Sequence, residues 1–396
     1  MKKNILFVMP SLSAGGGEKS LVNLLSQIDY NSYNVDLFLF HKAGLFINSI
    51  PEEVNILELP ANYKKFKHEV KESIKLFLKA GQFNLACFRL MFTLINRVIK
   101  NSTKAEQTAW KYVSSSFDNL EKEYDVAVGY LEKSSIYFVV DKVNSKKKIG
   151  WIHTNYSNSG MDYRYDNPFF KQLDHIVTVS EECANSLRET FMHLKDNVRV
   201  IYNIVSPRII KSLSGTEINY DIINQKNHIN IITIARLSHE KGIDIAIDAC
   251  KLLIEKGHKV NWCVLGEGNE REQLEGLIER SGLTNNFKLL GTKENPYPYI
   301  SNSDIYIQPS RYEGKSIAID EAKILHMPII VTNFKTAKDQ INNGENGLIV
   351  DLDSNAIAAG VEKLSQDRKF RERIIKNLSA EKLGTEEEIH KLYEIL

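Results

Sequence analysis

Short apolar runs, most of them rich in Val and Ile, alternate with stretches of helical periodicity along the whole chain, and this alternation limits the fold more than any other feature. In the first half the runs lie at 4–9, 34–40, 54–57, 126–130, 148–152, 175–179 and 198–201. In the second half they lie at 229–235, 260–265, 287–290, 305–308, 328–331 and 347–350. Continuous apolar strands separated by amphipathic helices require a parallel sheet covered on both faces. A polar stretch at 206–228, rich in Ser, Asn, Lys and Gln, divides the two sets. The expectation is an α/β chain of two Rossmann-like doubly wound domains facing across a cleft: 1–205, a linker at 206–228, 229–375, and C-terminal helices at 376–396.

With 396 residues, each half is long enough to bury its own core. The net charge of +1 gives no reason to invoke nucleic acid as a partner. Cys87, Cys183, Cys250 and Cys263 show no Cys-x-x-Cys spacing, which suits reduced thiols in a cytoplasmic protein. Met1-Lys2-Lys3 followed by 5–9 imitates a signal peptide, but Pro10 ends the apolar run too early, and it reads as a buried first strand. No apolar run approaches the ~18 residues of a spanning helix.

The segment from Pro309 to Ala322 carries the densest chemistry, with Glu313 and Glu321 eight positions apart. The pattern predicts a strand, a loop through Gly314, and a helix starting near Lys315 or Ser316. Free N–H groups and the positive dipole end of that helix suit a phosphate, whereas the carboxylates suit hydroxyls. The expected ligand is therefore a sugar joined to a diphosphate. Gly314-Lys315-Ser316 also resembles the end of a P-loop, but Pro309 stands where that motif needs its first glycine. A second cluster follows the strand at 229–235, where Arg236 and Lys241 precede Gly242 and a new helix. Cations at the C-terminal end of a buried parallel strand lie where open α/β sheets bind ligands, and Arg offers a fork to phosphate oxygens.

Three further places invite attention. Gly15-Gly16-Gly17 lies between the first strand and a helix, and serves either a close backbone approach to an anion or a tight turn. His153 ends the strand at 148–152. Facing a cleft it would hydrogen-bond a sugar hydroxyl or polarise a leaving group, and paired with backbone in the core it would do neither. Ser180-Glu181 reads as a helix cap with a first-turn acid, and Asp351-Leu352-Asp353 as a loop or cap rather than a metal site.

Taken together, Gly15-Gly16-Gly17-Glu18, Trp151-Ile152-His153, Val179-Ser180-Glu181, Ile201-Tyr202-Asn203, Arg236 with Lys241, Gly266-Glu267-Gly268 and Glu313-x7-Glu321 make the chain resemble the family 4 glycosyltransferases, retaining enzymes of the GT-B fold. Lys315-Ser316 departs from the family's usual Phe-Gly, and Asn333 to Thr336 from a usual Gly-containing turn. The resemblance implies transfer of a hexose from a nucleotide-diphosphate sugar, UDP-linked by expectation, to a glycan or lipid-linked acceptor in bacterial surface polysaccharide or glycolipid synthesis, without a cofactor or metal. It implies catalytic roles for Glu313, His153, Arg236 and Lys241. Donor contacts would come from Gly16, Gly17, Arg236, Lys241, Gly266, Thr292, Glu313, Gly314, Lys315, Ser316, Ile317 and Glu321. It further implies that the last helix returns to the N-terminal domain. A nucleotide-sugar epimerase and a non-catalytic GT-B partner subunit are the alternatives.

The stretch 62–116 breaks the α/β alternation. From Tyr63 to Lys111 it has eleven Lys/Arg against three Glu, interleaved with Ile74, Phe77, Leu78, Leu85, Phe88, Phe92, Ile95 and Ile99. A basic amphipathic region of this kind suits the anionic inner face of the plasma membrane, with Lys64, Lys65, Lys67, Lys71 and Lys75 as contacts. The same periodicity also fits a helical insertion packed on the first sheet.

Overall fold

The computed structural model describes residues 2–13, 15–218 and 223–396. The chain divides into two compact units: Met1–Ser13, Gly17–Tyr202 and Glu387–Leu396 form the first, and Ala14–Gly16 with Asn203–Glu386 form the second.

The first unit is built on seven parallel strands: β1 (Lys3–Met9), β2 (Tyr33–Leu39), β3 (Asn55–Ile56), β4 (Tyr124–Gly129), β5 (Ser145–Ile152), β6 (His175–Thr178) and β7 (Val198–Val200), in the order β3-β2-β1-β4-β5-β6-β7. The order reverses between β1 and β4, so the loops after these strands diverge there and leave a crevice. Helix α1 (Gly16–Leu25) follows β1. Four helices, α2 (Ala61–Lys67), α3 (Val70–Lys79), α4 (Phe83–Val98) and α5 (Ser102–Val113), then fill the long β3–β4 connection. Beyond them come α6 (Ser134–Lys142), α7 (Tyr163–Phe170) and α8 (Glu181–Thr190).

In the second unit α9 (Pro207–Ser214) is followed by six parallel strands with helices between them. The strands are β8 (Ile229–Ile234), β9 (Val260–Leu265), β10 (Phe287–Leu289), β11 (Ile305–Gln308), β12 (Ile329–Thr332) and β13 (Leu348–Val350), ordered β10-β9-β8-β11-β12-β13. The switch falls between β8 and β11. The helices are α10 (Ile243–Glu255), α11 (Arg271–Arg280), α12 (Tyr297–Ser301), α13 (Ile317–Ile324), α14 (Ala337–Gln340), α15 (Ser354–Gln366) and α16 (Arg368–Ala380). Strand residues alternate between two cores: Ile231, Trp262 and Ile307 join one, Ile232, Cys263 and Tyr306 the other. Both faces are therefore covered, as the unbroken apolar runs require.

Each expected strand forms, with bounds moved by at most a few residues at either end. The segment boundaries differ more. Within 206–228, expected to be a linker, α9 buries Ile210 beside Val205 and Tyr297 in the second unit's core; residues 219–222 lie outside the described residues. The expected break at 375 falls inside α16, whose Phe370, Ile374 and Leu378 belong to the second unit's core. The chain's last helix, α17 (Glu388–Ile395), packs in the first unit instead. There the Tyr393 ring stacks on Tyr33, and Glu388 accepts a hydrogen bond from the Tyr202 amide at 2.9 Å.

Candidate functional site

The loops leaving β8 and β11, the two strands at the second unit's switch point, are locked together. Gly242 adopts a left-handed conformation with φ +65° as the N-cap of α10, and a Cβ there would sit 2.0 Å from the Pro309 carbonyl oxygen. Only glycine permits both the dihedral and the approach. Arg311 completes the lock: its guanidinium donates to both carboxylate oxygens of Asp244, and its amide donates to the Glu240 carbonyl at 2.7 Å. Burial raises the Asp244 pKa, but the Arg311 hydrogen bonds and charge outweigh it and hold the carboxyl below its ordinary value.

This lock brings Lys241 and Glu313 together as an ion pair, Nζ to Oε2 2.7 Å, with both side chains largely buried. The other oxygen of Glu313 accepts from Ser310 Oγ at 2.8 Å and Gln308 Nε2 at 3.0 Å. Gln308 is itself oriented from below, because the buried Tyr306 hydroxyl donates to its Oε1. Three of the roughly four lone-pair sites of the carboxylate are thus filled, leaving room for about one further donor. Lys241, with three N–H donors, keeps two beyond Glu313. Arg236, on the same loop as Lys241, is exposed; burial raises the nearby Glu240 carboxyl, but hydrogen bonds and the Lys241 and Arg236 charges outweigh it and hold that group below its ordinary value.

Helix α13 begins after Ser316, where the sequence placed a helix start. Gln340 anchors that turn by accepting from the Ser316 amide at 2.9 Å and donating to its carbonyl at 2.8 Å. Thr336 Oγ1 donates to the Glu313 carbonyl at 3.1 Å. Lys315 is mostly buried, 3.9 Å from Asp320, and Ile317 is buried. Glu321 is only 1% exposed and accepts from the Tyr297 hydroxyl at 3.0 Å. Burial first, then the charges of Glu313 and Glu321, push the Tyr306 hydroxyl well above its ordinary pKa, so both carboxylates lie near one tyrosine. Gly266 fits under the Ala235 carbonyl, where a Cβ would come within 1.9 Å, and bridges to Gly291, the residue before Thr292.

In the first unit, Gly17 and His153 lie close together near the β1/β4 switch point. A Cβ on Gly17 would meet Leu131 at 3.0 Å and the His153 ring at 3.8 Å, whereas a Cβ on Gly16 would meet open space. His153 Nε2 lies 3.1 Å from the Tyr130 carbonyl, an acceptor, which makes Nε2 the protonated nitrogen and leaves Nδ1 as acceptor. Burial lowers the ring pKa to about 4, so His153 is neutral at pH 7. The His153 amide donates to Glu132 at 2.8 Å, and burial pushes that carboxyl above its usual range. The next residue, Lys133, takes φ 66°, a strained value for a lysine at the start of α6. Ser180 caps α8 and Asp353 caps α15, each accepting from backbone amides of its helix.

Gln308, Ser310 and Tyr297, which hold the two glutamates, Gln340, which anchors Ser316, and the Arg311–Asp244 lock were not found from the sequence. The one available signal was a glutamine and a serine closing an otherwise apolar strand.

The inserted helices place the five expected lysines in different surroundings. Lys64 pairs with Glu58 at 3.2 Å, Lys65 donates to Gln82 at 3.3 Å, and Lys67 donates to the Phe40 carbonyl at 3.1 Å. These three bond the protein's own acceptors, although Lys64 and Lys67 remain exposed, whereas the exposed Lys71 and Lys75 side chains have no partner among the described residues. Of the eight apolar residues singled out there, four turn inward: Phe77 is fully buried, and Ile74, Leu85 and Phe92 pack against the first unit's core, whereas Leu78 is exposed.

Two parallel sheets with ligand-facing loops at their switch points are the GT-B glycosyltransferase architecture, and solved structures of that class align over the whole chain. Anabaena HepE, in complex with UDP and glucose, matches with TM-score 0.70 at 16% identity, covering 99% of this chain and 98% of that one. A glycosyltransferase from Rickettsia africae matches with TM-score 0.67 at 18% identity, over 100% and 97%. Residues 217–380, most of the second unit, match the family model of the glycosyl transferases group 1. An uncharacterized glycosyltransferase of Methanocaldococcus jannaschii is 28% identical over 209 residues, 50% of this chain and 51% of its own length. The capsular polysaccharide biosynthesis glycosyltransferase CapM of Staphylococcus aureus is 33% identical over 147 residues, 36% of this chain and 38% of its own. The chain thus spans about half the length, or less, of these curated relatives.

Proposed function

We propose that this chain is a retaining, metal-independent glycosyltransferase that moves a hexose from a UDP-linked donor to a glycan or lipid-linked acceptor in bacterial surface polysaccharide synthesis. The Lys241–Glu313 ion pair across the β8/β11 switch, with Arg236 exposed beside it, carries the reading. Cleaving a sugar–phosphate bond builds negative charge on the diphosphate and positive charge at the anomeric carbon. The Arg236 fork and the two remaining Lys241 donors stabilise the leaving diphosphate, a task that a divalent cation performs elsewhere. Glu313, fixed by Lys241, Ser310 and Gln308, accepts a hydrogen bond from a donor-sugar hydroxyl and orients the ring. Glu321, with Tyr297, is assigned to the ribose, and the Gly16-Gly17 turn with neutral His153 to sugar contacts. In the retaining route the leaving phosphate takes the proton of the incoming hydroxyl, so no separate nucleophile is needed. The relatives named for capsule synthesis and the UDP-bound structural neighbours support this substrate class. The exposed lysines of the β3–β4 insertion support peripheral association with the anionic inner face of the plasma membrane.

The test is a transfer assay with a panel of nucleotide sugars, with and without lipid-linked and soluble acceptors, in excess chelator. An α-linked product from an α-linked donor is expected, read from the anomeric proton coupling. Inversion, dependence on added manganese or magnesium, or an altered free donor sugar without acceptor would each contradict the reading.

A further inference from the structure

One face of α4 is apolar and uncovered. Phe83, Cys87, Leu90, Met91, Leu94 and Val98 are all exposed, Phe83 at 65% and Val98 at 76%. Their spacing places them on one stripe of a 16-residue helix about 24 Å long. This is not the face the sequence pattern singled out, since Leu85, Ala86 and Phe92 turn inward to the core. Soluble surfaces seldom leave a contiguous apolar stripe of this length open, so it marks a contact.

The flanks say what kind of contact. Helix α4 packs between α3 and α5. On α3, Lys71, Lys75 and Lys79 are exposed and without recorded partners; on α5 the same holds for Lys104 and Lys111. Arg89, by contrast, is withdrawn, its guanidinium bound to the Phe66 and His68 carbonyls. From α3 to α5 the only acids are Glu72 and Glu106, and Glu106 is engaged by Lys133. An apolar ridge between two basic margins complements a surface that is hydrophobic below an anionic layer. A second copy of this chain would set basic margin against basic margin across a two-fold axis, which like charge opposes.

We propose that the exposed face of α4 enters the acyl-chain boundary of an anionic bilayer, with the lysines of α3 and α5 lying at the headgroups. The proposal rests on the peripheral-membrane reading above and names the element that performs it. The depth available to such a helix, about 5–10 Å, is enough to bury the stripe while keeping both margins wet.

The experiment uses the full chain and vesicles of phosphatidylglycerol with phosphatidylcholine, or of phosphatidylcholine alone. Cys87 is exposed and the other three cysteines are buried, so an environment-sensitive fluorophore can be placed in the stripe. Wild type is expected to sediment with anionic vesicles and not neutral ones, more weakly as salt rises, with a blue shift of the Cys87 label. Leu90→Glu with Leu94→Glu should lower binding at least ~10-fold, and Lys71→Glu with Lys75→Glu ~10-fold or more. UDP binding and transfer to a soluble acceptor should be unchanged in both, which also controls for folding. Wild-type binding that neither the Leu90/Leu94 variant nor the label senses would overturn the role of α4 and leave the broader membrane reading standing. No wild-type binding would overturn both. A dimeric wild type made monomeric by the leucine changes, with no vesicle binding, would assign the stripe to a second copy.

Discussion

At the scale of single residues, the largely buried Lys241–Glu313 pair, to which the proposed function gives a part in the chemistry, also bears on stability. Removing one partner of a largely buried pair strands the other charge, so Lys241→Met should cost about 1–3 kcal/mol in nucleotide-free protein, while Lys241→Met with Glu313→Gln should recover part of that loss. Chemical denaturation of the four proteins of the cycle measures it, and strict additivity would deny the coupling. Arg236 is exposed and faces the Glu240 charge on its own loop, a weak surface interaction, so Arg236→Ala should leave stability within about 0.5 kcal/mol. It should lower kcat/KM at least ~100-fold, about 2.7 kcal/mol of transition-state stabilisation. His153 gives a pH prediction. Its folded pKa of about 4 lies below the unfolded value, so the unfolded state binds the proton first and stability falls as pH drops from about 6.5 towards 4. The imidazole C–H resonance of His153, assigned by comparison with His153→Gln, should titrate near 4. A midpoint near 6.5 would deny that this partly buried ring is desolvated beside the Tyr130 carbonyl.

At the scale of elements, the strands were legible because a strand buried on both faces needs an unbroken apolar run, and nothing else in the chain produces one so often. The loops were legible only in part. Glu313, Arg236 and Lys241 stand out as charges at strand ends, but Gln308 and Ser310, which fix Glu313, and Gln340, which anchors Ser316, are neutral polar side chains whose meaning depends on how the loops fold. The same limit misplaced the insertion's face. Helical spacing shows that α4 has two apolar sides, and only packing decides that Leu85 and Phe92 turn in while Leu94 and Val98 turn out. Lys64, Lys65 and Lys67 read as free charge until Glu58, Gln82 and Phe40 are placed beside them. The α10 N-cap supplies an element-level test. Gly242→Ala meets both a left-handed φ and the Pro309 carbonyl, so it should destabilise the second unit by at least ~2 kcal/mol and weaken UDP binding by displacing Lys241. Thermal unfolding with and without UDP reads both, and an unperturbed variant would deny the lock. Asp353→Ala should cost only about 1 kcal/mol, as the loss of a helix cap, with transfer unaffected.

At the scale of the whole molecule, two separate parallel sheets each present their charged or glycine-bearing loops at a switch in strand order. The two-domain plan followed from the division of the apolar runs. The boundaries did not, because α9 and α16 carry polar surfaces that read as linker or tail until Ile210 and Ile374 are seen in the core. The proposed function puts the diphosphate entirely on second-unit residues, with cations of the chain in place of a metal. Calorimetric titration of UDP in excess chelator tests that claim most directly. Wild type should bind, and Arg236→Ala with Lys241→Ala should bind at least ~30-fold more weakly, about 2 kcal/mol for two charge-assisted contacts. Equal affinity in the folded double variant, or binding that appears only when a divalent metal is restored, would contradict the account.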